Sequence, residues 1–373
     1  MLRMKKIGID ARFMLGERRG IGNYVYALLK SILEQDKTNK YYIYVAGKDS
    51  VHDEFSEHEN VVWREIKIKN YFIWEQIILP FYLKNDKIDV FHATGNTAPI
   101  FMPRKTKLIT TIHDVMYCIE NEKLIPKPKT IYQKIGRIYR RCIVPIVAKK
   151  SCRIITISKF SKADLIKYIP NIINKINVVY EAGTKSIVGK SLSSTREKYI
   201  LVLGAIDPRK NTRRIIEAYA LIKKQKKYSY MKLFICGIDK NLGENILKKI
   251  SSDVKKDISF LGFVSDEKLS DLYTNAEMFV YMSLYEGFGF PVLDAMKCKT
   301  PVIASNITSI PEIVGDAGVL VDPYNVDDIS NAMIQIMESN NLRKKLIKLG
   351  ELRKEEFSWE KNARETIQIY ESV

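Results

Sequence analysis

The sequence predicts an α/β protein built from two doubly wound parallel sheets. Short β-branched or aromatic runs alternate with longer amphipathic segments along nearly the whole chain, which is the rhythm of βαβ units. The chain has 373 residues, more than one ordinary hydrophobic core holds. A polar, serine-rich stretch, VGKSLSSTREK at 188–198, separates two such series and is typical of a linker.

The apolar runs and the amphipathic segments can be assigned in order. In the first half, strands are predicted within 5–10, 41–46, 61–66, 88–94, 107–114, 152–158 and 176–182, and helices at 21–36, 71–84, 129–150 and 159–168. In the second half, strands are predicted within 199–204, 231–237, 258–263, 277–283, 300–305 and 318–322, and helices at 211–225, 242–251, 266–276, 289–299, 309–315, 326–339 and 341–356. The first domain is therefore predicted to end near residue 190.

The positive charge of the chain is concentrated in the first domain. The net charge is +18, of which residues 1–190 carry +16, with 34 basic against 18 acidic side chains. Residues 101–175 alone hold 17 basic and 4 acidic side chains. Such a surface favours nucleic acid, an anionic membrane surface or a phosphorylated substrate as the partner. A diffusely solvated surface is the alternative, and no nucleic-acid motif accompanies the charge, so no nucleic-acid partner is expected.

Cysteines and histidines exclude two other kinds of site. The five cysteines are scattered and lack CxxC spacing, which indicates reduced thiols. The four histidines are scattered as well, so no metal site is expected. No apolar run is long enough to span a bilayer, and the chain starts without a recognisable signal peptide.

The stretch YEGFGFPVLDA, residues 285–295, joins a strand to a helix. Two glycines allow close approach of a ligand to the backbone, and Pro291 suits the first helical turn. A helix N-terminus offers free N–H groups and partial positive charge. The junction is therefore a predicted seat for an anion or a polar ligand, flanked by Glu286 and Asp294.

A second predicted site follows the strand at 199–204. LGAIDPRKNT is similar to a P-loop, but Arg209 stands where the second glycine belongs and Asn211 replaces the hydroxyl residue, so that interpretation fails. Arg209 and Lys210 instead precede a helix for which Asn211 is the predicted N-cap. Two cations at this point suit a diphosphate, and a solvated surface pair is the alternative.

Three weaker signals follow strands of the first domain. In RRGIGNY, Gly20 and Gly22 precede a helix, but Val25 stands where GxGxxG needs its last glycine, and a tight turn is the alternative. In TTIHDVMY, His113 ends a strand, where it could bond a substrate hydroxyl or carry a proton. His92 in VFHATGN stands in a similar place. For both histidines a hydrogen-bonded structural role is the alternative.

Taken together, these motifs resemble one family, the retaining glycosyltransferases of family four. The resemblance runs nearly end to end, through GIDARFM, RGIGNY, VFHAT, TIHD, TISKFSKADL, LVLGAIDPRKN, FLGFVSDEKLSDLY, SLYEGFGFPVLDAM, TPVIASNITSIPEIVGDAG and FSWEKNA. It implies the GT-B fold, two Rossmann-like domains that face a cleft. It also implies an acceptor-binding domain over 1–190, a nucleotide-sugar-binding domain over 191–357, and a helix at 358–373 that crosses back to the first domain.

The resemblance assigns roles to the predicted site residues. Glu286 would contact hydroxyls of the donor sugar, and the backbone of Gly287, Phe288, Gly289 and Phe290 would wrap the sugar and diphosphate. Asp294 stands where the family usually has a glutamate that holds the ribose, so its shorter side chain changes the reach. The remaining implied donor contacts are the diphosphate-binding pair Arg209 and Lys210, the loop that begins at Gly204, and Phe263 and Val264 beside the base, for which core packing is the alternative.

In the first domain, the resemblance implies that Gly20 approaches the diphosphate and that His113 lies near the donor sugar. The family often has two glycines where this chain has Arg19 and Gly20, which changes the loop. Gly22 and His92 are predicted to lie on the acceptor side. The catalytic residues are therefore predicted to be Glu286, Lys210, Arg209 and His113.

The resemblance implies transfer of a sugar with retained configuration. No DxD triplet occurs in the sequence, so no metal or other cofactor is expected. The motifs look most like bacterial mannosyltransferases of O-antigen and capsule assembly, which favours GDP-mannose as donor and a glycan or polyprenyl-diphosphate-linked acceptor. A UDP-sugar donor and a catalytically inactive nucleotide-sugar-binding protein are the alternatives. The expected location is the cytoplasm, with residues 101–175 in peripheral contact with an anionic membrane; for the helix at 131–150 a packed surface helix is the alternative.

Overall fold

The computed structural model describes residues 3–16, 18, 20–47, 51–68, 70–119, 121, 124–126, 128, 130–190 and 197–373. Arg19 and residues 191–196 of the predicted linker lie outside these described residues. The chain divides into two compact units, each treated by itself below. Unit 1 comprises Met1–Ile119, Pro128–Glu181 and Trp359–Val373, and unit 2 comprises Glu120–Lys127 and Ala182–Ser358.

Unit 1 is built on a parallel sheet that, within the described residues, has seven strands in the order β3-β2-β1-β4-β5-β6-β7. The strands are β1 Lys6–Asp10, β2 Lys40–Val45, β3 Val61–Glu65, β4 Val90–Ala93, β5 Lys107–Thr111, β6 Arg153–Thr156 and β7 Ile176–Val178. The strand order reverses direction between β1 and β4. In an open parallel sheet, the crevice at such a reversal, beyond the carboxyl ends of the strands, is where ligands bind.

The helices of unit 1 cover both faces of this sheet, as buried parallel strands require. They are Ile21–Gln35, Val51–Glu54, Tyr71–Ile73, Leu79–Asn85, Ile131–Lys150, Lys159–Tyr168 and Trp359–Glu371, and a π-helical segment, Trp74–Ile78, joins the third to the fourth. Short 3-10 turns lie at Arg12–Met14, Met116–Cys118 and Ile173–Lys175. The helix Trp359–Glu371 packs on the helix Ile21–Gln35, where the rings of Trp359 and Tyr24 lie 6.1 Å apart.

Unit 2 repeats the plan with a parallel sheet that has six strands among the described residues, in the order β10-β9-β8-β11-β12-β13. The strands are β8 Tyr199–Leu203, β9 Lys232–Cys236, β10 Ile258–Gly262, β11 Met278–Tyr281, β12 Val302–Ser305 and β13 Gly318–Val321. Here the order reverses between β8 and β11, and the residues that follow these two strands carry the strongest sequence motifs.

The helices of unit 2 are Thr212–Lys223, Lys240–Ile246, Ser252–Lys255, Asp266–Asn275, Phe290–Lys297, Ile310–Val314, Val326–Glu338 and Asn340–Glu355. Its 3-10 turns are Pro208–Lys210, Lys226–Tyr228, Leu247–Lys249 and Gly315–Ala317. The predicted α/β class with two doubly wound sheets is confirmed. All thirteen predicted strands occur among the described residues, because nearly continuous buried apolar runs mark the interior strands of parallel sheets.

Two local predictions were wrong. The helix predicted at 242–251 begins at Lys240 and ends at Ile246, and the chain then tightens into the 3-10 turn Leu247–Lys249. Asn211 occupies the N-cap position of the helix Thr212–Lys223, but its side chain makes no cap hydrogen bond. Asn211 adopts left-handed backbone, with φ 54°, and its amide donates to the carbonyl of Pro323 at 2.7 Å.

Among the described residues, no helix combines the length and the apolar character that crossing a membrane requires. The five cysteines are all free thiols.

Candidate active site

The candidate active site of unit 2 lies at the reversal of strand order between β8 and β11. After β8, the chain reaches the 3-10 turn Pro208–Lys210, and after β11 it reaches Ser283–Glu286. The backbone joins the two segments, because the N–H of Leu284 donates to the carbonyl of Arg209 at 2.7 Å, and the hydroxyl oxygen of Ser283 lies 3.1 Å from the same carbonyl oxygen. The structure thus brings together two sequence motifs that lie about 75 residues apart in the chain.

The centre of this site is an ion pair between Lys210 and Glu286. Lys210 Nζ lies 2.6 Å from Glu286 Oε1, and the two side chains are 27% and 18% exposed. The same carboxylate oxygen accepts hydrogen bonds from the hydroxyl of Tyr281 at 2.7 Å and from that of Ser283 at 2.6 Å. Lys210 also donates to the hydroxyl of Tyr281 at 3.0 Å. Both charges are therefore held in fixed positions while each keeps a surface open to solvent.

These contacts keep Glu286 ionised. Burial by itself raises the pKa of Glu286, but the charge of Lys210 and the hydrogen bonds from Lys210, Ser283 and Tyr281 outweigh burial and lower the pKa. For Tyr281, burial and the neighbouring charge of Glu286 raise the pKa well above its usual value. At neutral pH the centre therefore consists of a carboxylate, an ammonium group and a neutral phenol. A carboxylate in this state accepts hydrogen bonds from the hydroxyls of a ligand.

Arg209 is not aimed at the same centre. Its Nε and Nη2 bind both carboxylate oxygens of Asp207 at 2.6–3.1 Å, and its backbone N–H is capped by Asp207 as well. Burial raises the pKa of Asp207, but its hydrogen bonds with Arg209 outweigh burial and lower it. The ion pair of Arg209 with Asp207 is what the alternative interpretation, a solvated pair at the surface, expects. A diphosphate would have to compete with Asp207 for one edge of the guanidinium group.

The loop at 287–290 depends on an unusual backbone conformation at Gly289 and on contacts with Ser309. Gly289 adopts φ +124°, and a Cβ there would lie 2.8 Å from the side chain of Ile310. The hydroxyl oxygen of Ser309 lies 2.9 and 2.8 Å from the carbonyl oxygens of Glu286 and Phe288, which share its single hydrogen. The carbonyl groups of Glu286 and Phe288 therefore face Ser309. The loop leads directly into the helix Phe290–Lys297, whose first residue is Phe290.

Phe288 is buried and packs its ring 5.7 Å from Phe290 and 5.8 Å from Phe357, so its side chain anchors the loop and only its backbone can contact a ligand. Gly204 follows β8, at a point where a Cβ would lie 2.7 Å from the side chain of Ile235, so close packing explains this glycine. Gly287 lies between Glu286 and Phe288, on the segment that Ser309 holds.

Asp294 is more enclosed than the ribose role predicts. It is 4% exposed, and its two oxygens accept hydrogen bonds from the backbone N–H and the hydroxyl of Thr184 at 2.7 and 2.9 Å. Lys297 contacts the same two residues, because its Nζ donates to the carbonyl of Thr184 at 2.8 Å and lies near the Asp294 carboxylate. Burial raises the pKa of Asp294 to about 7, although Lys297 and Thr184 act in the opposite direction. Contact with a ribose stays a prediction.

Phe263 and Val264 follow β10. Gly262 has φ +63°, which turns the chain at the end of the strand. Phe263 is 68% exposed, so core packing, the alternative interpretation, does not apply to its ring. Val264 is half-buried. The ring of Phe263 lies exposed beyond the carboxyl end of β10, and its contact with a base stays a prediction.

His113 of unit 1 lies beyond the carboxyl end of β5, and its side chain is buried. Its Nε2 lies 2.9 Å from the carbonyl oxygen of Thr94, and its Nδ1 lies 3.2 Å from Oε1 of Glu181. The residue is 5% exposed, and the ring of Tyr24 packs edge-on at 4.8 Å between centroids. Both ring nitrogens therefore have partners inside the protein. No sequence pattern pointed to Glu181, which lies 68 residues further along the chain.

His92 has the contacts of the structural alternative, and its prediction on the acceptor side is corrected accordingly. Its Nδ1 bonds the hydroxyl of Tyr370 and its Nε2 bonds that of Thr111, both at 2.7 Å, and the side chain is fully buried. Burial, with a smaller contribution from the charge of His113, lowers the pKa of His92 to about 3. His92 is therefore a neutral hydrogen-bonding residue of the core.

The two glycines of the N-terminal loop differ. A Cβ at Gly22 would lie 2.4 Å from the carbonyl oxygen of Phe13, so close packing of two chain segments explains Gly22 without an acceptor. Gly20 is exposed, has φ +41° and has open space around the Cβ position. The positive φ explains why a glycine stands at this position. The exposure of Gly20 leaves the loop accessible to a ligand.

Sequence reasoning missed a buried charged cluster at the reversal of strand order in unit 1. Arg12 Nη2 lies 2.6 Å from Asp10 and 2.8 Å from Glu75, and all three side chains are at most 6% exposed. The guanidinium carbon of Arg12 lies 4.1 Å from the ring centroid of Trp74. Glu75 lies in the π-helical segment Trp74–Ile78, a distortion that is frequent at functional sites. The signal available in the sequence was Asp-Ala-Arg at the end of β1.

Among the described residues, no three histidine, cysteine, aspartate or glutamate side chains form a group that could hold a metal ion.

Comparisons with known proteins agree with the fold. Residues 18–182 match the family model described as Glycosyltransferase Family 4, and residues 184–353 match the model described as Glycosyl transferases group 1. The chain is 34% identical, over 77% of its length and 75% of the relative, to O-antigen chain mannosyltransferase B of Escherichia coli. It is 29% identical to O-antigen chain mannosyltransferase RfbU of Salmonella typhimurium, over 58% of this chain and 61% of the relative.

Solved structures match nearly the whole chain. One is Anabaena Alr3699/HepE in complex with UDP-glucose, with a TM-score of 0.70, 12% sequence identity, and coverage of 99% of this chain and 100% of the other. Another is a glycosyltransferase from Rickettsia africae ESF-5, with a TM-score of 0.73, 17% identity, and coverage of 99% and 98%. At these identities the likeness shows the GT-B fold.

Proposed function

The chain belongs to the family 4 glycosyltransferases, and we propose that it transfers mannose from GDP-mannose to a glycan or to a lipid-linked oligosaccharide. The observation that carries the mannosyl assignment is the 34% identity to a relative named as an O-antigen chain mannosyltransferase. The ion pair of Lys210 with Glu286, at the reversal of strand order in unit 2, supplies the chemistry of the donor site.

The ionised Glu286 accepts hydrogen bonds from hydroxyls of the donor sugar. Of its two oxygens, Oε1 is the one that Lys210, Tyr281 and Ser283 hold. The side chain is 18% exposed, so a ligand can reach it without unfolding the loop. Because three donors fix the carboxylate, its orientation is set before the sugar arrives, which lowers the entropic cost of positioning the reacting carbon.

Lys210 is proposed to stabilise the leaving group. As the bond between the anomeric carbon and the nucleoside diphosphate breaks, negative charge develops on the diphosphate, and an ammonium group held nearby stabilises it. A preorganised donor of this kind is worth about 2.7–4 kcal/mol in the transition state. The helix Phe290–Lys297 begins next to this centre and adds the partial positive charge of its N-terminus.

Retention of configuration is proposed to follow from attack on one face. The acceptor oxygen forms its bond to the anomeric carbon on the face from which the diphosphate leaves, and the acceptor proton passes to an oxygen of that diphosphate. Atoms and charges balance without a covalent enzyme intermediate. The cations and the helix N-terminus take the role that a divalent metal has in enzymes with a DxD motif, so transfer is expected to continue in the presence of EDTA.

The acceptor is proposed to be presented at an anionic membrane surface. The first turns of the helix Ile131–Lys150 expose Ile131, Tyr132, Ile135 and Ile138 by 52–79%, while only its second half contributes buried side chains. Exposed basic residues accompany them, namely Lys134, Arg140, Lys149 and Lys150. An apolar face with flanking cations is typical of interfacial helices, which favours membrane contact over the packed-helix alternative.

The membrane proposal is tested by co-sedimentation with vesicles. Vesicles that contain phosphatidylglycerol should bind the protein, and phosphatidylcholine vesicles should not. Ile135→Glu should weaken this binding, and Ile173→Glu is the matched control, since Ile173 is also more than half exposed but belongs to a separate 3-10 turn. Equal sedimentation with both lipid compositions would refute the proposal.

Donor identity is tested by thermal unfolding against nucleotide sugars without added metal. A donor at 100 times its Kd should stabilise the protein by about 2.7 kcal/mol. Stabilisation by GDP-mannose and GDP, followed by mannose transfer to a glycan acceptor, is the expected result. Stabilisation by uridine nucleotides alone would keep the glycosyltransferase assignment and exclude mannose transfer from GDP-mannose.

A further inference from the structure

The hydrogen bonds of His113 determine where its protons lie. A carbonyl oxygen only accepts hydrogen bonds, so Nε2, at 2.9 Å from the carbonyl of Thr94, carries a hydrogen. The contact of Nδ1 with Oε1 of Glu181 at 3.2 Å then needs one further proton. That proton is on the ring, which gives an imidazolium and a carboxylate, or on Glu181, which gives two neutral groups. In both cases His113 and Glu181 share one buried proton.

The surroundings favour the charged form of the ring. Burial by itself lowers the pKa of His113, but the hydrogen bond and the charge of Glu181 outweigh burial and raise it. Asp114, the next residue in the chain, acts in the same direction. The other titratable groups that face the ring are His92, which is neutral because its pKa is near 3, and Tyr24, whose pKa burial raises further. The hydroxyl of Ser161 reaches only the backbone carbonyl of His113.

Three loops of unit 1 meet at this ring. Thr94 follows β4, His113 follows β5, and Glu181 follows β7, so their contacts tie together the carboxyl ends of these strands. Asn96, with left-handed backbone at φ 70°, accepts a hydrogen bond from the N–H of His113 at 2.8 Å. Glu181 is also the last residue of unit 1 before the chain continues into unit 2.

We propose that Glu181 is a positioning residue for glycosyl transfer, and that it acts through the proton that it shares with His113. The proposal rests on the proposed function. Because both ring nitrogens are engaged, His113 does not serve as a general base. Its ring instead fixes the loops after β4 and β5 at the edge of the sheet where ligands bind. Loss of the proton would place a carboxylate against the lone pair of Nδ1 and release that arrangement.

The first experiment observes the proton directly. The chain has four histidines, so ¹⁵N-labelled imidazole signals can be assigned with single histidine variants. In the wild type, His113 should stay protonated on both nitrogens well above about pH 6.5, the pKa of an unperturbed histidine. In Glu181→Gln, the second proton should leave at lower pH, because the amide carries no charge. Identical titration of His113 in both proteins would overturn the shared proton.

The second experiment measures turnover. Glu181→Ala should lower kcat by up to about 100-fold, because Nδ1 loses its partner and the loops shift. Glu181→Gln should keep kcat within a few-fold at pH 7, because its amide N–H still reaches Nδ1. The wild type should lose activity as the pH rises through the pKa of the pair, and Glu181→Gln should not show this alkaline loss. A merely structural role would leave the pH profiles alike.

Two controls separate the possible failures. Glu277→Gln changes another buried carboxylate, in unit 2, which pairs with Arg343, and it should leave the pH profile of kcat unchanged. Wild-type kcat and an unchanged profile in Glu181→Ala would overturn the positioning role. If the wild type transfers no sugar from any donor, the proposed function fails, whereas the imidazole signals still decide whether His113 and Glu181 share a proton.

Discussion

The carboxyl edges of the two sheets carry two polar centres of opposite character. In unit 2, Lys210 and Glu286 are fixed by neighbouring groups but keep 27% and 18% of their side chains exposed. In unit 1, His92 and His113 are buried, and all four ring nitrogens bond to protein groups. The same fold therefore provides one centre that is open to a ligand and one that is closed.

The difference teaches how to assign residues that look equivalent in sequence. Lys210 follows β8, and His92 lies within β4 near its carboxyl end. Both strands stand beside a reversal of strand order, where ligands bind in parallel sheets. Exposure and unused hydrogen-bonding capacity, not position, separate them. Substitution in the open centre should affect catalysis more than stability, and substitution of His92 in the closed centre should do the reverse.

The largest expected effect is in the open centre. Glu286→Ala and Lys210→Ala should each lower kcat by about 10²–10³-fold, because each removes a preorganised charge from the transition state. The double variant should lose little more than either single variant, since the two residues act as a pair. Steady-state kinetics with donor and acceptor, together with circular dichroism, are the measurements.

Arg213→Ala is the matched control for Lys210. Arg213 lies on the helix that follows the site and forms an exposed pair with Glu217 at 2.9 Å. This variant should keep wild-type kcat. Near-normal turnover in Lys210→Ala would remove Lys210 from the proposed mechanism.

In the closed centre, His92→Leu should destabilise the protein by about 1–3 kcal/mol, because the buried hydroxyls of Thr111 and Tyr370 lose a partner. Urea unfolding measures this change, and kcat per folded molecule should not change. His58→Leu is the control, because His58 is half-buried beside Lys37, outside the core, and its loss should change stability by less than about 0.5 kcal/mol. A fall in kcat without a loss of stability would show that His92 belongs to the catalytic machinery.

Asp294 belongs to neither the open nor the closed centre. Its raised pKa predicts that the stability of the protein depends on pH. The pKa of Asp294 in the folded protein, about 7, is above the usual aspartate value of 3.8, so the contribution of this group to the free energy of unfolding is fully present at low pH and is lost as the pH rises towards 7. The slope approaches about 1.4 kcal/mol for each pH unit. Asp294→Asn should flatten the dependence between pH 4 and 7, measured by urea unfolding. The exposed Asp253→Asn should preserve it, and equal slopes in wild type and Asp294→Asn would contradict the buried, protonated state.

The smallest expected effect is at Phe263. Phe263→Ala should weaken binding of the nucleoside diphosphate by about 1–3 kcal/mol, the range of base–aromatic stacking. Stability should be almost unchanged, because the ring is largely exposed. Calorimetric titration measures the affinity. Tyr230→Ala, at a ring that is 50% exposed, is the control, and equal affinities in the two variants would exclude Phe263 from the base site.

The sequence predicted the open centre well because its signals are local. Gly289 and Pro291 mark the loop and the first helical turn, and Pro208 with Asp207 marks the turn before Lys210. The apolar runs between these signals are long enough to identify every strand. Residue type and short spacing were therefore sufficient to predict which motifs meet at the reversal of strand order.

The partners of the buried polar groups in unit 1 could not be predicted, because they are distant in sequence. Glu181 meets His113 across 68 residues, and Glu75 meets Arg12 across 63. Nothing in a single sequence distinguishes a buried carboxylate of this kind from a solvated one. For the same reason, the enclosure of Asp294 by Thr184, 110 residues earlier, was not visible in the motif that contains Asp294.

The composition of unit 1 has a consequence for folding during synthesis. Residues 359–373 belong to this unit together with residues near the start of the chain, and Trp359 and Tyr370 pack against Tyr24 and His92. Unit 2, Ala182–Ser358 for the most part, leaves the ribosome before that last helix does. Unit 1 is therefore completed only after unit 2 has been synthesised, and His92 stays partly uncovered until the helix Trp359–Glu371 has been made.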